Sequence, residues 1–405
     1  MVVPKLRFKG FTGEWDKIKL SQIADIIKDK NDGAEHPVMM LSAVKGFINQ
    51  QEKYSKDNAG SSLKKYTLLR RGDLAYNRGN SKLKKYGCIF ELENSSALVP
   101  YVYHCFRMKN GNSTFYGNYL NSGKIDKELR GIISSSARMD GLLNVSEKDF
   151  VNILVSKPIL SEQQKIADFL TTFDKRITAQ QNIIADLEET KKGLLQKIFS
   201  QEIRFKDDNG QDYPEWEEKR LGDISYVMRG LTYKPTDVRD DGIRVFRSSN
   251  ISEDTFIYGE DDVFVDVNAV NIPFVQNGDI LITAANGSSR LVGKHSVIHG
   301  VLNDTAVHGG FMLLIRSKDS AFINSSMYSS WYKKFVYKFV AGGNGAIGNL
   351  KKSDLENVHL FVPCEKEKNK IDDFLSIFDK KITAEKQVLS DLQEMKKGLL
   401  QQMFV

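Results

Sequence analysis

The fold is decided by the stretch KIADFLTTFDKRITA at residues 165–179, because KIDDFLSIFDKKITA returns at residues 370–384. A shift of 205 positions aligns residues 162–199 with residues 367–404, and 22 of the 38 aligned residues are identical. A match of this length indicates an internal duplication. The chain therefore has two halves built on one plan, each a divergent stretch followed by a repeated tail.

Both tails have the apolar spacing of a long helix. Apolar residues recur at steps of three, four and seven, the heptad pattern of a helix that packs along a partner helix. The apolar residues of each tail form one stripe along the helix, which we call the seam. Because the two seams share a register, we predict that the helices pack on each other. Packing of each helix on its own domain alone is the alternative. The predicted core of the helix pair is Ile166, Leu170, Phe173, Ile177, Ile184, Leu187, Leu194, Ile371, Leu375, Phe378, Ile382, Leu389, Leu392 and Leu399.

Residues outside the seam recur as well, among them Asp174 and Lys175. A solvated face has no folding reason to repeat its residues, so the repetition suggests a repeated partner surface. The lysine pairs at 191–192 and 396–397 could face a partner, DNA or water, and the sequence leaves this open.

The stretches before the tails have the pattern of α+β domains. Short apolar runs bounded by Gly, Asn, Asp or Ser predict strands at residues 88–92, 279–283, 311–315 and 358–362. The clearest helical pattern is at residues 321–340. The predicted organisation is a first globular domain at 1–160, a first conserved helix at 161–200, a second globular domain at 201–363 and a second conserved helix at 364–405.

Charge and cysteine usage limit the class of protein. The net charge of +6 and the pI of about 8.8 are mild evidence for a polyanionic partner. No apolar run approaches the roughly 18 residues of a membrane span, and the N-terminal residues lack a signal-peptide pattern. The three cysteines lie far apart, which argues against a zinc ribbon or a disulfide framework and fits a reducing, cytoplasmic location.

Polar, basic loops follow strand patterns at matching places in the two halves. Residues 64–85 hold eight Lys or Arg against one acid, and residues 284–295 and 244–251 repeat the same chemistry. A third loop pair precedes the tails, at 134–144 and 341–350. Lys and Arg neutralise phosphates, and Asn, Ser and Arg hydrogen-bond base edges, so we predict DNA contact rather than the alternative of solvated loops. The predicted DNA-contacting residues are Lys64, Lys65, Asn77, Arg78, Asn80, Ser81, Lys82, Lys84, Arg138, Arg247, Ser248, Ser249, Asn250, Asn286, Ser288, Ser289, Arg290, Lys294 and Asn344.

The sequence shows no convincing catalytic constellation. It contains no GxxxxGK[ST] phosphate loop, no HExxH zinc motif and no Asn/Asp-Pro-Pro-aromatic segment of a base methyltransferase. We therefore predict a non-catalytic chain without a metal site. A scaffold that binds only proteins and a stand-alone DNA-modifying enzyme with an unrecognised site are the two alternatives.

Over essentially its whole length the chain resembles the specificity subunits of type I restriction–modification systems. The resemblance is carried by the order globular region, helix, globular region, helix, and by the segments FDKRI…KKGLLQKIF and FDKKI…KKGLLQQMF. A short Arg-Phe…Trp segment at the start of each half also resembles the family: Arg7-Phe8 with Trp15, and Arg204-Phe205 with Trp216.

The resemblance implies a DNA-binding subunit with no activity of its own. Each globular region would be a target-recognition domain that reads one half of an asymmetric bipartite site on double-stranded DNA. The helices would form an antiparallel coiled coil that sets the half-site spacing in a pseudo-twofold chain. Two methyltransferase subunits would dock on it, and two restriction–translocation subunits could join. S-adenosylmethionine, ATP and Mg would belong to those partners, with no cofactor in this chain.

Overall fold

A computed structural model describes residues 3–50, 60–79, 84–133, 142–252, 254–340 and 349–405 of the protein. The chain divides into two compact α+β units, Met1–Asn182 with Lys386–Val405, and Ile183–Glu385, so each long helix contributes to both units. None of the described helices combines the length and the apolar character needed to cross a bilayer. The described helices are α1 Ser113–Asn121, α2 Asp126–Ile132, α3 Glu147–Val151, α4 Leu160–Phe199, α5 Leu221–Ile224, α6 Ser320–Ser326, α7 Ser330–Val340, α8 Lys352–Glu356 and α9 Glu365–Met403.

The first unit is built around a four-stranded antiparallel sheet in the order β2-β9-β6-β7. Side chains alternate between the two faces of a strand. Leu74 and Tyr76 of β6 therefore join the core that contains α1 and parts of α4 and α9, while Ala75 joins a separate core on the opposite face. The strands of this unit are β1 Asp16–Lys19, β2 Ala24–Ile26, β3 Met39–Ser42, β4 Gly46–Asn49, β5 Thr67–Arg70, β6 Leu74–Asn77, β7 Cys88–Glu91, β8 Ser96–Val99, β9 His104–Met108 and β10 Leu154–Lys157.

The second unit repeats this plan with the sheet β12-β21-β18-β19. Ile280 and Ile282 of β18 face the core that contains parts of α4 and α9, and Leu281 faces the opposite core. A second sheet in the order β13-β17-β14-β20 covers a third cluster. The strands of this unit are β11 Glu217–Arg220, β12 Tyr226–Arg229, β13 Val238–Arg239, β14 Ile243–Phe246, β15 Ile251–Ser252, β16 Thr255–Phe256, β17 Val263–Val265, β18 Ile280–Thr283, β19 His295–Val297, β20 Ala306–His308, β21 Met312–Arg316 and β22 His359–Val362.

The strand predictions at 88–92, 279–283, 311–315 and 358–362 are confirmed to within one residue at each end. The helical pattern at residues 321–340 is confirmed, and the segment forms two helices, α6 and α7, with a break between them. At the break, the hydroxyl groups of Ser326 and Ser329 donate to backbone carbonyls three residues earlier. Hydroxyl bonds of this kind compete with helix continuation.

The central strand of each unit begins at an equivalent Gly-Asp turn. Gly72 and Gly278 have φ near +90°, a conformation that favours glycine. The aspartate that follows each glycine is buried and accepts two hydrogen bonds from one guanidinium, of Arg107 for Asp73 and of Arg316 for the second aspartate. The bidentate pairing of a buried aspartate with a partly exposed arginine explains why Gly-Asp is kept in both halves.

The Arg-Phe…Trp segment of each half holds the start of the following long helix. In the first unit, Arg7 donates to both carboxylate oxygens of Glu162, at 2.6 and 2.7 Å, and the Trp15 indole donates to the same carboxylate at 3.2 Å. Phe8 packs edge-on against Phe169 at 5.5 Å. The second unit repeats each contact with the residues found 197 to 205 positions later, namely Arg204, Trp216 and Glu367, with Phe205 on Phe374. The segment that resembles the family is therefore structural.

The two long helices run antiparallel in both units. In the first unit, Ile166 and Leu170 at the start of α4 share a core with Leu399 and Met403 at the end of α9. In the second unit, the end of α4 and the start of α9 meet in the same way, through Ile198 and Ile371 among others. The seam at its ends is thus continuous with the domain cores.

All predicted seam residues are buried or half-buried. The buried members are Ile166, Leu170, Phe173, Ile184, Ile371, Leu375, Ile382 and Leu392, and the half-buried members are Ile177, Leu187, Leu194, Phe378, Leu389 and Leu399. The heptad pattern predicted Leu194 as a core residue and missed its neighbour Leu195, which is the more deeply buried of the two. The cause is that this turn packs against a globular core as well as the partner helix.

Crossed ion pairs link the two helices. Lys396 of α9 pairs with Asp174 of α4 in the first unit, and Lys191 of α4 pairs with Asp379 of α9 in the second. The two pairs are related by the 205-residue shift. The repetition of Asp174 therefore has a folding reason, which corrects the sequence argument that assigned its face to a partner.

Candidate nucleic-acid interface

Three segments of the second unit meet at the end of the central strand β18. Asn286, three residues past the strand, donates from Nδ2 to the Ser248 hydroxyl at 3.0 Å, which joins the loop after β18 to the turn after β14. The Leu350 N–H donates to the Ala284 carbonyl at 2.9 Å and brings in the segment before α8. We call residues 247–250, 284–291, 309–311 and 349–350 the second loop cluster.

The first unit has an equivalent arrangement at the end of β6. The Leu143 N–H donates to the Arg78 carbonyl at 2.9 Å, the counterpart of the bond from Leu350. An antiparallel bridge joins Gly79 to Leu142, and its counterpart joins Ala285 to Asn349. We call residues 77–79, 100–103 and 142–145 the first loop cluster. Described parts of the loops selected from the sequence therefore come together in each unit, residues 77–79 with 142–144 in the first and residues 247–250 and 284–291 with 349–350 in the second.

Several predicted contact residues lie exposed on these surfaces. In the second loop cluster, Ser249, Ser288, Ser289 and Arg290 are exposed, and nearby Lys294 is half-exposed. In the first unit, Lys64 and Lys65 are exposed at the end of a short 3₁₀ helix that precedes β5. These side chains have the freedom to meet a polyanion.

The structure corrects the prediction that Arg78 contacts DNA. Its side chain is only 8% exposed, and its guanidinium donates to the Val102 carbonyl at 3.2 and 3.0 Å and to the Val145 carbonyl at 3.1 Å. These bonds hold the segments of the first loop cluster together. Arg78 could reach a base only by giving up these three hydrogen bonds, so we assign it a structural role.

The structure also corrects the prediction that Asn250 contacts DNA. Its side chain is fully buried, and its amide donates to the Ile257 carbonyl at 3.1 Å and to Asp262 at 2.7 Å while its oxygen accepts from the Arg247 N–H at 2.7 Å. The residue closes the turn after β14. Its position beneath Ser249 leaves it unable to face a ligand.

Five further predicted residues are half-exposed and already hydrogen-bonded, namely Asn77, Lys84, Arg247, Asn286 and its acceptor Ser248. Asn77 donates to the Leu41 carbonyl and Asn286 to Ser248, so both fix loop positions. Lys84 donates to the Asn121 carbonyl at 2.7 Å, and burial lowers its pKa. Arg247 donates through Nη2 to the Asp261 carbonyl at 2.7 Å. The remaining predicted residues, Asn80, Ser81, Lys82, Arg138 and Asn344, lie outside the described residues.

Three ionisable groups near the loops, His308, Cys88 and His104, are buried. Burial lowers the pKa of His308 to about 4 and raises the pKa of Cys88 to about 11, so at neutral pH the imidazole is neutral and the thiol is protonated. Burial also lowers the pKa of His104, whose Nε2–H donates to the Val145 carbonyl at 2.9 Å. In the described part of the chain, no group of three or more His, Cys, Asp or Glu side chains is placed to hold a metal ion.

Two exposed aromatic residues border the loop clusters and were missed by the sequence reasoning. Phe311 is 75% exposed in the second loop cluster, and Tyr101 is 56% exposed in the first. The sequence Gly309-Gly310-Phe311 could have indicated an exposed ring, because the two residues before Phe311 have no side chains to cover it. The strand pattern assigned this phenylalanine to the core instead.

A family model for the type I restriction modification DNA specificity domain matches residues 13–189 and 213–394, which is most of both halves. The chain belongs to this family. The two matched stretches correspond to the two copies of the duplication, so each half of this specificity subunit contains one specificity domain. Its function is recognition of DNA sequence for a type I restriction–modification system, and the prediction of a non-catalytic subunit is confirmed.

Curated relatives and solved structures agree with this assignment. The chain is 23% identical to the type I restriction enzyme MjaVIII specificity subunit of Methanocaldococcus jannaschii, over 96% of this chain and 91% of that protein. It is 28% identical to the EcoKI specificity subunit of Escherichia coli over 36% of this chain and 32% of that protein.

The fold is shared with two solved structures at 15% sequence identity. The S subunit of a type I restriction-modification system from M. genitalium has a TM-score of 0.52 and covers 100% of this chain and 99% of its own. A chain from a study of complex assembly and conformational transition in a type I R-M system has a TM-score of 0.54. The match covers 97% of this chain and 98% of that chain. These likenesses confirm the predicted fold class.

Proposed function

We propose that each half of this specificity subunit reads one half of an asymmetric, bipartite site on double-stranded DNA through its loop cluster. The observation that supports this most directly is the repetition of one platform in both units. The same backbone links at the ends of β6 and β18 carry different side chains in the two halves. Different side chains on equivalent platforms would read different half-sites.

Within the second half, we propose that Arg290 and Lys294 meet phosphates and that Ser249, Ser288 and Ser289 contact base or sugar edges. Their exposure supports the assignment, since long cations neutralise phosphates and hydroxyls hydrogen-bond to either partner. In the first half, Lys64 and Lys65, which precede β5 and lie outside the first loop cluster, would add phosphate contacts. We also keep Asn80, Ser81, Lys82, Arg138 and Asn344 as proposed contacts.

We propose that α4 and α9 set the spacing between the half-sites, and that two methyltransferase subunits dock on the two equivalent halves. Two restriction–translocation subunits would join the same assembly. The duplication supports this number, because equivalent surfaces offer equivalent docking positions. S-adenosylmethionine, ATP and Mg would be bound by those subunits in the cytoplasm, with this chain binding none of them.

Methylation mapping of the host genome with and without this gene tests the proposed target. The expected result is adenine methylation at one asymmetric motif with an unread spacer, present only when the gene is present. A contiguous motif, or methylation that persists without the gene, would contradict the proposal.

Substitution of Arg290 tests the proposed surface. In Arg290→Ala, the affinity of the full chain for duplex DNA should fall, and the slope of log affinity against log salt should decrease by about one, because one phosphate contact is lost. Arg220→Ala is the matched control, since Arg220 is an exposed arginine of the same unit whose side chain donates to Asn357 on the β11–β22 side. Equal salt slopes for the two variants would remove Arg290 from the interface.

A further inference from the structure

Phe311 occupies an unusual position within the second loop cluster. β18 and β21 pair in regular register from Ile280 to Thr283, which is opposite Met312. Beyond that point the N–H groups of Ala284 and Ala285 both donate to the Phe311 carbonyl, at 2.9 and 3.1 Å. Two residues opposing one is the arrangement of a β-bulge, and a bulge redirects the side chains beside it.

The backbone beneath Phe311 is closely packed. A side-chain carbon at Gly230 would lie 1.9 Å from the Gly309 carbonyl oxygen, so the two chains approach more closely than any other residue allows. Gly309 is also held by β14, because its N–H donates to the Phe246 carbonyl at 2.9 Å. The phenyl ring therefore projects from a fixed backbone, after two residues that have no side chains to cover it.

The surroundings of the ring are those of the proposed DNA surface. The bulge residue Ala285 directly precedes Asn286, which bonds to Ser248, and the exposed Arg290 follows in the same loop. A single exposed apolar residue on a protein surface needs no explanation. An exposed ring beside a bulge does need one when it belongs to a loop cluster whose other exposed side chains are cationic or carry hydroxyl or amide groups, because such a cluster favours an anionic partner that also offers apolar surface. Duplex DNA offers both, in its phosphates and its bases.

We infer that Phe311 makes apolar contact with the bases of the half-site read by the second half. The inference rests on the proposed function. Two contacts share this chemistry: the ring packs on the methyl group of a thymine, or it inserts as a wedge at a base step. In the first loop cluster the exposed aromatic residue is Tyr101, one residue before Val102, which the strand registers align with Phe311.

The test measures binding of the full chain to a duplex that carries the mapped motif and to an unrelated duplex of the same length. Phe311→Ala should lower affinity for the motif by about 5- to 100-fold, as expected for loss of one aromatic–base contact, and leave affinity for the unrelated duplex within about twofold. Phe311→Tyr should retain most of the affinity. Phe361→Ala is the matched control, because Phe361 is also exposed but lies on β22.

Modified DNA then separates the two contacts for the wild-type protein. Replacement of thymine by deoxyuridine should reproduce the loss in Phe311→Ala if the ring meets a methyl group. Increased fluorescence of 2-aminopurine at one step, absent with Phe311→Ala, indicates a wedge. An unchanged ratio of motif to unrelated affinity in folded Phe311→Ala overturns the inference. A wild-type protein without any preference for the motif would instead count against the proposed function.

Discussion

Arg78 and Arg290 are both predicted from the sequence to contact DNA, but the structure gives them different surroundings. Both follow a central strand in a polar loop. The guanidinium of Arg78 is buried against two carbonyl groups, from residues 24 and 67 positions away, whereas Arg290 is exposed. The sequence identifies the loop but cannot place these carbonyls, because their position depends on long-range packing. The same reason applies to Asn250, which is buried beneath an exposed serine.

Substitution of Arg78 should therefore act on stability. Arg78→Ala removes both hydrogen bonds to the half-buried Val102 carbonyl and one of the two side-chain hydrogen bonds to the buried Val145 carbonyl, which keeps the bond from His104. We expect a loss of about 2 kcal/mol in the free energy of unfolding. Denaturation by urea, followed by intrinsic fluorescence, measures this change. Arg290→Ala is the control and should stay within about 0.5 kcal/mol of the wild type. Equal stability of the two variants would refute the structural role of Arg78.

Asp372 should make the second unit sensitive to pH. Burial raises its pKa to about 7, one carboxylate oxygen has no hydrogen-bond partner among the described residues, and nearby Lys368 is committed to Asp319 at 2.6 Å. The equivalent residue of the first half is Ala167, which packs in the core. Since the folded-state pKa lies above the ordinary value near 4, folding is penalised progressively as pH rises from about 4 to 7.

Asp372→Ala removes this penalty. We expect the variant to be more stable than the wild type at pH 8, on the order of 1 kcal/mol, with a smaller gain at pH 5, where the wild-type carboxyl is protonated in the folded state. Thermal unfolding of the full chain at both pH values measures the difference. A gain that is the same at pH 5 and pH 8 would show that the side chain destabilises the unit for reasons other than charge.

At the scale of elements, the long helices could be predicted because their periodicity is a local property of the sequence. The seam residues and the antiparallel pairing follow from it and from the family resemblance. The local pattern could not show that Glu162 is 1% exposed and accepts from Arg7 and Trp15. This glutamate looks like a surface residue until its partners, about 150 positions away in sequence, are placed beside it.

The crossed ion pairs should contribute to the pairing of the helices. Lys396→Asp places two carboxylates in contact at Asp174, and we expect a loss of about 0.5–1 kcal/mol, a modest value because the pair is partly exposed. Adding Asp174→Lys should restore most of the loss. Urea denaturation of the two single variants and the double variant gives the coupling energy. Lys397→Asp, on an exposed neighbouring position, is the matched control. Additive effects would mean that the pair does not couple the helices.

At the scale of the whole molecule, the proposed spacing function can be tested without disturbing the ion pairs. The partners on α4, residues 174 and 191, are 17 positions apart, as are residues 379 and 396 on α9. Deletion of residues 179–185 and 384–390 removes one heptad from each helix between these positions. At 1.5 Å per residue the helices shorten by about 10 Å, or about three base pairs of DNA.

Methylation mapping of this double deletion should return the same two half-sites with a spacer shorter by about three base pairs. Deletion of one heptad from α4 alone is the control, because it leaves unequal separations on the two helices and should destabilise the protein. Retention of the original spacer by the double deletion would rule out the helices as the determinant of spacing.

The course of the chain through the two units has a consequence for synthesis on the ribosome. The core of the first unit contains Met403 and Phe404, and the Ser156 hydroxyl donates to the Val405 carbonyl at 2.8 Å. The second unit is the continuous stretch Ile183–Glu385. Its residues are therefore all translated before those that complete the first core. In nascent chains that end at residue 385 and are extended by a linker long enough to carry this residue out of the ribosome, we expect the second unit to resist protease while the first, although made earlier, is still cleaved.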